Sequence, residues 1–239
     1  MDDEALLELW ESALGCDAWR REDLLVAAAT GGEPPQSLGE RNAALLRWRQ
    51  RLCGRALPLR ASCPCCAAEL DFALDTESLC GADAAPAAPP AFDTLQHGEQ
   101  RVTFRLPRSD DLRALAHRHR DVEALEQALL ERCVCTIDGD APGGAGALSD
   151  ELREAIAARM EALDPRASLG CALLCPDCAH RWDAPLDVAA LLWPELRRRA
   201  ERVLVDVAAL ASAYGWSETD VLRLNPARRR AYLQLAGAA

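Results

Sequence analysis

Apolar side chains at Leu6, Leu7, Trp10, Ala13 and Leu14 recur at helical spacing, behind the acidic start Asp2, Asp3 and Glu4. Acidic residues suit the positive end of a helix dipole, so residues 2–29 read as helix. Gly15 interrupts the pattern, and a second helix is predicted from about Trp19 to Ala29. Gly31-Gly32-Glu33-Pro34-Pro35 breaks the chain. A third helix follows at about 38–52, with Leu38, Leu45, Leu46, Trp48 and Leu52 apolar among arginines. The period then drops to two. Leu57, Leu59 and Ala61 alternate with polar positions and lead into Cys63-Pro64-Cys65-Cys66; Leu70, Phe72 and Leu74 alternate on the way out. That is the pattern of two short strands joined by a cysteine turn.

Gly81–Pro90 is rich in Ala and Pro and reads as a loop. Arg101 to Leu106 alternates as a strand that Pro107 stops. Residues 109–135 return to helix, with Ser109 as the N-cap and a stripe of Leu112, Leu115, Ala116, Val122, Leu125 and Leu129. Asp138–Gly146 is a loop, and a further helix runs from Ser149 to about Asp164-Pro165. A second strand–turn–strand unit follows: Leu169, Cys171 and Leu173 lead into Cys175-Pro176-Asp177-Cys178, and Trp182, Ala184 and Leu186 lead out. Val188–Tyr214 is helical, with Pro194 permitting a kink or restart and Gly215 at the C′ position. Ser217 with Asp220 caps a short helix, and Asn225-Pro226 opens the last one. The fold class expected is α+β: mostly helical, with a small antiparallel zinc-ribbon-like sheet made from the two cysteine hairpins. The regions are 1–54 (helical), 55–107 (first hairpin plus strand), 108–165 (helical insertion), 166–187 (second hairpin) and 188–239 (helical), in one or two compact domains.

Composition narrows the class of function. The chain has 239 residues, half of them hydrophobic, so it can bury a sizeable core. Every basic residue is arginine and the formal net charge is −11. That balance disfavours phosphate-backbone binding, which needs a cationic face. The start MDDEALLELW lacks the basic and apolar segments of a signal peptide, and no apolar run is long enough to span a bilayer. A cytoplasmic protein with no membrane partner is expected. Eleven cysteines in a reducing compartment point to metal rather than to disulfides.

The two C-P-x-C turns carry the chemistry. Each follows a strand and aims two thiolates at one point, and two such knuckles complete a tetrahedral four-sulfur shell. Cys63, Cys66, Cys175 and Cys178 are therefore expected to hold one structural Zn2+ across 108 intervening residues. A closed four-thiolate shell leaves no position for a reactive water. Cys65 lies inside the first knuckle and is an alternative ligand in place of a neighbour, although C-x-x-C spacing prefers Cys63 and Cys66. Cys133 and Cys135 read as core cysteines, and Cys16, Cys53, Cys80 and Cys171 as core or incidental ones. His180 is either a donor to a thiolate or a surface histidine. His117 and His119, two apart on a helix, do not face each other. No phosphate loop, H-E-x-x-H or G-x-S-x-G motif occurs, and an enzyme is not expected.

From Glu195 onward eight arginines face five acidic residues, a local balance of +3 against −14 for the rest of the chain. Arg228, Arg229 and Arg230 are expected to face a protein partner, and Tyr214, Trp216 and Tyr232 to hold the short capped helix against the long one. A zinc-ribbon regulator that binds nucleic acid is the alternative reading.

Several segments together resemble a known family. They are Gly39-Glu-Arg-Asn-Ala-Ala-Leu-Leu-Arg-Trp-Arg with Leu52-Cys-Gly, the two Cys-Pro-x-Cys turns with Trp182, and Arg105-Leu-Pro with Asp111-Leu. Leu130-Glu-Arg-Cys, Tyr214-Gly-Trp-Ser-Glu and Arg228-Arg-Arg-Ala-Tyr-Leu complete the set. They resemble the baseplate hub assembly chaperone family of T-even-type phage tails, in the version found in contractile injection system clusters. The likeness runs from about residue 38 to 236. The Cys65–Ala67 segment departs from it, since a non-cysteine and often Gly stand there in the family. The resemblance implies a non-enzymatic role in building a baseplate hub, with hub or spike proteins as partners and no small-molecule substrate.

Overall fold

The computed structural model describes residues 1–80, 89–116, 118, 121–143 and 148–237. His117, His119 and most of the Gly81–Pro90 loop lie outside these residues. The chain divides into two units: Ala29–Val188, and Met1–Ala28 together with Ala189–Ala239. The first 28 residues thus belong with the carboxyl-terminal helices, not with the third helix as the sequence grouping had them.

The central unit begins with α3 (Leu38–Cys53), after α1 (Asp3–Ala13) and α2 (Ala18–Thr30). Ser37 caps α3 by accepting from the Glu40 N–H at 3.1 Å. Arg49, buried on α3, donates to the carbonyls of Gly54 and Ala56 at 2.9 and 2.8 Å. It thereby ties the helix end to β1 (Ala56–Ser62), which pairs antiparallel with β2 (Glu69–Asp75), Leu59 opposite Phe72. Thr76, the first residue of α4 (Thr76–Cys80), donates through both N–H and hydroxyl to the Arg55 carbonyl and closes the hairpin base.

A three-stranded sheet follows, built from β3 (Asp93–His97), β4 (Gln100–Phe104) and β5 (Val134–Ile137) in that order. Between β4 and β5 lie α5 (Ser109–Ala116) and α6 (Val122–Cys133), and after them α7 (Asp150–Leu163). Val102, Phe104, Leu106, Cys133, Val134, Leu148, Leu152, Ile156 and Met160 form this unit's core. Cys133 is a core residue, as its apolar context predicts. The second hairpin, β6 (Gly170–Leu174) with β7 (Arg181–Pro185), sets Leu173 opposite Trp182.

Two expectations change here. The cysteine hairpins do not merge into one sheet. Each is its own two-stranded ladder, and the third sheet is separate from both. The 108–165 region is also not purely helical. β5 begins directly after α6, where Val134-Cys-Thr-Ile continues an apolar run that the helical period absorbed, and α6 starts afresh from its own N-cap, Asp121.

The other unit contains α1, most of α2, α8 (Val188–Tyr214), α9 (Glu218–Leu222) and α10 (Pro226–Leu235). Pro194 sits inside α8 without ending it. Gly215 takes φ +70°, the left-handed conformation that stops a helix at little cost for glycine. Ser217 and Asp220 form a reciprocal capping box, and Asn225 caps α10 ahead of Pro226. Leu210, Val221 and Leu233 bury one face of α8, α9 and α10 against each other, with Trp216 and Tyr232 at the edge.

Candidate metal centre

The two knuckles fold by the same hydrogen bonds. In the first, the Cys63 N–H donates to the Ala68 carbonyl and the Ala67 N–H returns to the Cys63 carbonyl, both at 2.9 Å. In the second, the Cys175 N–H donates to the His180 carbonyl at 2.9 Å and the Ala179 N–H to the Cys175 carbonyl at 3.0 Å. Each turn needs one residue with positive φ, and each places alanine there: Ala67 at 60° and Ala179 at 59°. That conformation costs a non-glycine residue about 1 kcal/mol.

These turns bring four sulfurs together. The Sγ atoms of Cys63, Cys66, Cys175 and Cys178 all lie within 4.8 Å of one another. Across the knuckles, Cys63 Sγ is 3.6 Å from Cys178 Sγ, and Cys66 Sγ is 3.5 Å from Cys175 Sγ. A disulfide bond is about 2.05 Å, so neither pair is one. Sulfurs on a tetrahedron with metal–sulfur bonds of about 2.3 Å stand about 3.8 Å apart, and the observed spacings approach that edge. Cys63 and Cys175 are buried at 2% and 1% exposure, while Cys66 and Cys178 face solvent.

The electrostatics also fit a cation. Burial alone would raise the Cys63 thiol. The N–H groups of Cys66 and Cys65 and the thiols of Cys178 and Cys175 outweigh it and bring Cys63 down to about 7. The Ala68 N–H favours ionised Cys66, but the Cys175 thiol, burial and the Cys63 thiol leave it raised. The His180 N–H does the same for Cys178, and burial with the thiols of Cys66, Cys175 and Cys63 again prevails. One thiolate is thus stabilised at the expense of its neighbours, because four negative charges cannot share this space alone. A divalent cation removes that conflict, and the four-thiol donor set fits a soft or borderline metal. His180 enters the site through its backbone; its exposed ring stacks on Trp182 at 6.1 Å.

The other expected residues separate. Tyr214, Trp216 and Tyr232 form one aromatic cluster, with ring centroids 4.9, 5.8 and 4.8 Å apart. The arginine run does not act as a unit. Consecutive helical residues fan out by about 100° each. Arg228 and Arg230 are exposed, whereas Arg229 is buried at 5% exposure and donates to Asp3 at 2.5 Å and to the Val221 carbonyl at 3.2 Å. Arg229 therefore faces inward, against the expectation of a partner contact, and holds α1 to α9 and α10.

Two buried polar clusters escaped the reading of motifs by spacing. The Gly39 N–H donates to Asp164 Oδ2 at 2.9 Å, and Asn42 Nδ2 donates to the Arg166 carbonyl at 2.7 Å. These bonds fix the segment that enters β6 against the first turns of α3. Asp111, buried at 3% exposure, accepts from Arg105 at 2.6 and 2.8 Å, from Arg132 at 2.7 Å and from the Arg108 N–H at 2.9 Å. Burial would raise its carboxyl; the Arg105 and Arg108 donors, with Arg132, hold it at about 2.

No family model matches the chain, and neither a curated protein nor a solved structure is significantly similar to it. No helix among the described residues is long and apolar enough to cross a membrane.

Proposed function

We propose that this chain is a non-enzymatic assembly factor whose central unit is stapled by a structural zinc ion. The observation that carries the reading is the convergence of Cys63, Cys66, Cys175 and Cys178 within 4.8 Å. Four protein thiolates saturate a tetrahedral zinc and leave no position for substrate or activated water, so the ion's role is to hold the fold. When bound, the metal supplies the positive charge that lets all four thiols ionise. Cys63, Cys66, Cys175 and Cys178 hold it, and the N–H groups of Cys65, Cys66, Ala68 and His180 orient the sulfurs.

The assembly that this protein serves is read from its resemblance to the baseplate hub assembly chaperones of phage-tail-like contractile injection systems. Several residues of that resemblance have architectural work in this chain: Gly39 and Asn42 hold the segment before β6, and Arg105, Asp111 and Arg132 form one buried cluster. Hub or spike proteins are the partners, met by the helical unit, where Arg228 and Arg230 stay exposed for carboxylates. The compartment is the bacterial cytoplasm.

The test is co-purification of the tagged full chain from cells expressing the surrounding gene cluster. Hub or spike proteins should be recovered, and an Arg228→Gln, Arg230→Gln double variant should recover less of them at moderate salt. Recovery of no particle component, or a salt-dependent shift of DNA in its place, contradicts the reading.

A further inference from the structure

The four clustered sulfurs fall into two pairs, and each pair bridges the knuckles. Cys63 and Cys175, which open their turns, are buried, whereas Cys66 and Cys178, which close them, are exposed. Each exposed sulfur touches a buried one of the other hairpin. Cys178 Sγ meets Cys63 Sγ at 3.6 Å, and Cys66 Sγ meets Cys175 Sγ at 3.5 Å. Inside its own knuckle each turn's sulfurs are held by backbone N–H groups: those of Cys65 and Cys66 at Cys63, of Ala68 at Cys66 and of His180 at Cys178. From these contacts, a disulfide of about 2.05 Å needs each pair to close by only about 1.5 Å. An accessible sulfur with a second thiol beside it passes from sulfenic acid to disulfide before further oxidation overtakes it. The cluster holds that arrangement twice, with one sulfur open to an oxidant and a sheltered one in contact to complete the bond.

We infer that the cluster is a peroxide-responsive modification site: oxidation joins Cys66 to Cys175 and Cys178 to Cys63, and two disulfides replace the ion as the link between the hairpins. This rests on reading the four cysteines as a metal site. In each pair the exposed sulfur attacks one oxygen of hydrogen peroxide. The O–O bond breaks, the sulfur gives up two electrons and becomes a sulfenic acid, and water leaves. The buried sulfur then attacks the sulfenic sulfur. The S–O bond breaks, the S–S bond forms, and a second water carries off the hydroxyl and the remaining proton. Each pair consumes one peroxide, whose oxygens are reduced to water. Where the sulfurs start as thiolates, solvent supplies the missing protons. Metal ligation needs thiolate sulfur, so the ion departs with its oxidation state unchanged. Because both bonds cross between the knuckles, the hairpins stay joined after the ion has gone.

The experiment loads the full chain with zinc and adds hydrogen peroxide stepwise. It follows free zinc and, after alkylation and tryptic digestion without reductant, the masses of the cysteine peptides. Cleavage at arginine leaves Cys63 and Cys66 in the peptide 61–101 and Cys175 and Cys178 in the peptide 167–181. The two peptides should be recovered joined, with about two peroxides consumed for each ion released. Fragmentation should place the bonds at Cys66–Cys175 and Cys63–Cys178. Hydrogen exchange on the oxidised, metal-free chain should show β6–β7 as protected as in the zinc form, and dithiothreitol should abolish that protection until zinc is restored. Peptides recovered singly with internal bonds, bonds made through Cys65, or an ion that stays bound under peroxide overturn the inference alone. A chain that takes up no zinc overturns the metal reading and this inference together.

Discussion

The two knuckles share one turn yet are held by different means. The first hairpin has seven-residue strands, buries Leu57 and Leu59, and is closed at its base by Arg49 and Thr76. The second has five-residue strands, and no residue of β6 or β7 is fully buried; Cys171, Leu173, Trp182 and Ala184 are covered only in part. A two-stranded hairpin is marginal in water without further packing. The first knuckle therefore presents its thiols from a hairpin that buries apolar residues of its own, while the second is held chiefly through the segment before β6, which Gly39 and Asn42 fix. The lesson is that one motif, repeated, carries unequal stability according to what lies beneath its strands. The cross-strand pair Arg60–Asp71, at 2.8 Å, hardly enters this difference, since both side chains are more than half exposed and such pairs contribute at most about 1 kcal/mol.

Metal removal should expose the asymmetry with the largest effect. Cys178→Ser, or chelation, should destabilise the central unit by about 4 kcal/mol or more. Hydrogen exchange after chelation should show the β6–β7 amides losing protection well before those of β1–β2. Equal loss in both hairpins would break the comparison.

Gly39→Ala comes next. A Cβ at position 39 would stand 1.7 Å from Asp164 Oδ1, inside the contact that fixes the approach to β6. Asp164 is buried and its carboxylate accepts from the Gly39 N–H, so the Cβ must displace that carboxylate from its bond, and a loss of about 3 kcal/mol is expected in denaturant unfolding. Because only the second knuckle hangs from this segment, β6–β7 should again weaken first. A cost below about 1 kcal/mol would mean that the segment is not held as described.

Asp111 lies outside both knuckles and serves as the control. Its carboxyl is held at about 2, below the ordinary 3.8, so it stabilises the fold above pH 4 and loses that contribution as pH falls towards 2. Asp111→Asn should cost about 2 kcal/mol at pH 7, with the gap to the parent narrowing below pH 4 and zinc content at neutral pH unchanged. A variant that also loses its metal would show that the two hairpins are not independent of the core between them.

The smallest effect sharpens the likeness of the turns. Ala67→Gly and Ala179→Gly each relieve a left-handed alanine and should raise the stability of the metal-loaded protein by roughly 0.5 kcal/mol, after the greater freedom of glycine in the unfolded chain is set against the gain. A loss in either variant would mean that its turn does not need positive φ.

Much of this was legible in the sequence because the signals are local. The cysteine turns announce themselves by C-P-x-C between period-two runs, and the matched spacing of both pairs pointed to one shared cluster. The course of α8, the stop at Gly215 and the caps at Ser217 and Asn225 follow from neighbours within a turn. What the sequence hid is non-local. Gly39 and Asp164 are 125 positions apart, and nothing in either segment names the other. Spacing alone did not tell which member of Arg228-Arg229-Arg230 turns inward, because that depends on Asp3 at the far end of the chain. β3 reads poorly as a strand, since Leu95 is its only aliphatic residue, and β5 is only four residues long.

The central claim is that two distant knuckles share one ion. Elemental analysis with X-ray absorption on protein purified without chelator tests it most directly. The account predicts one zinc per chain with four sulfur neighbours at about 2.3 Å. Metal-free protein, or zinc with nitrogen or oxygen among its ligands, would contradict it.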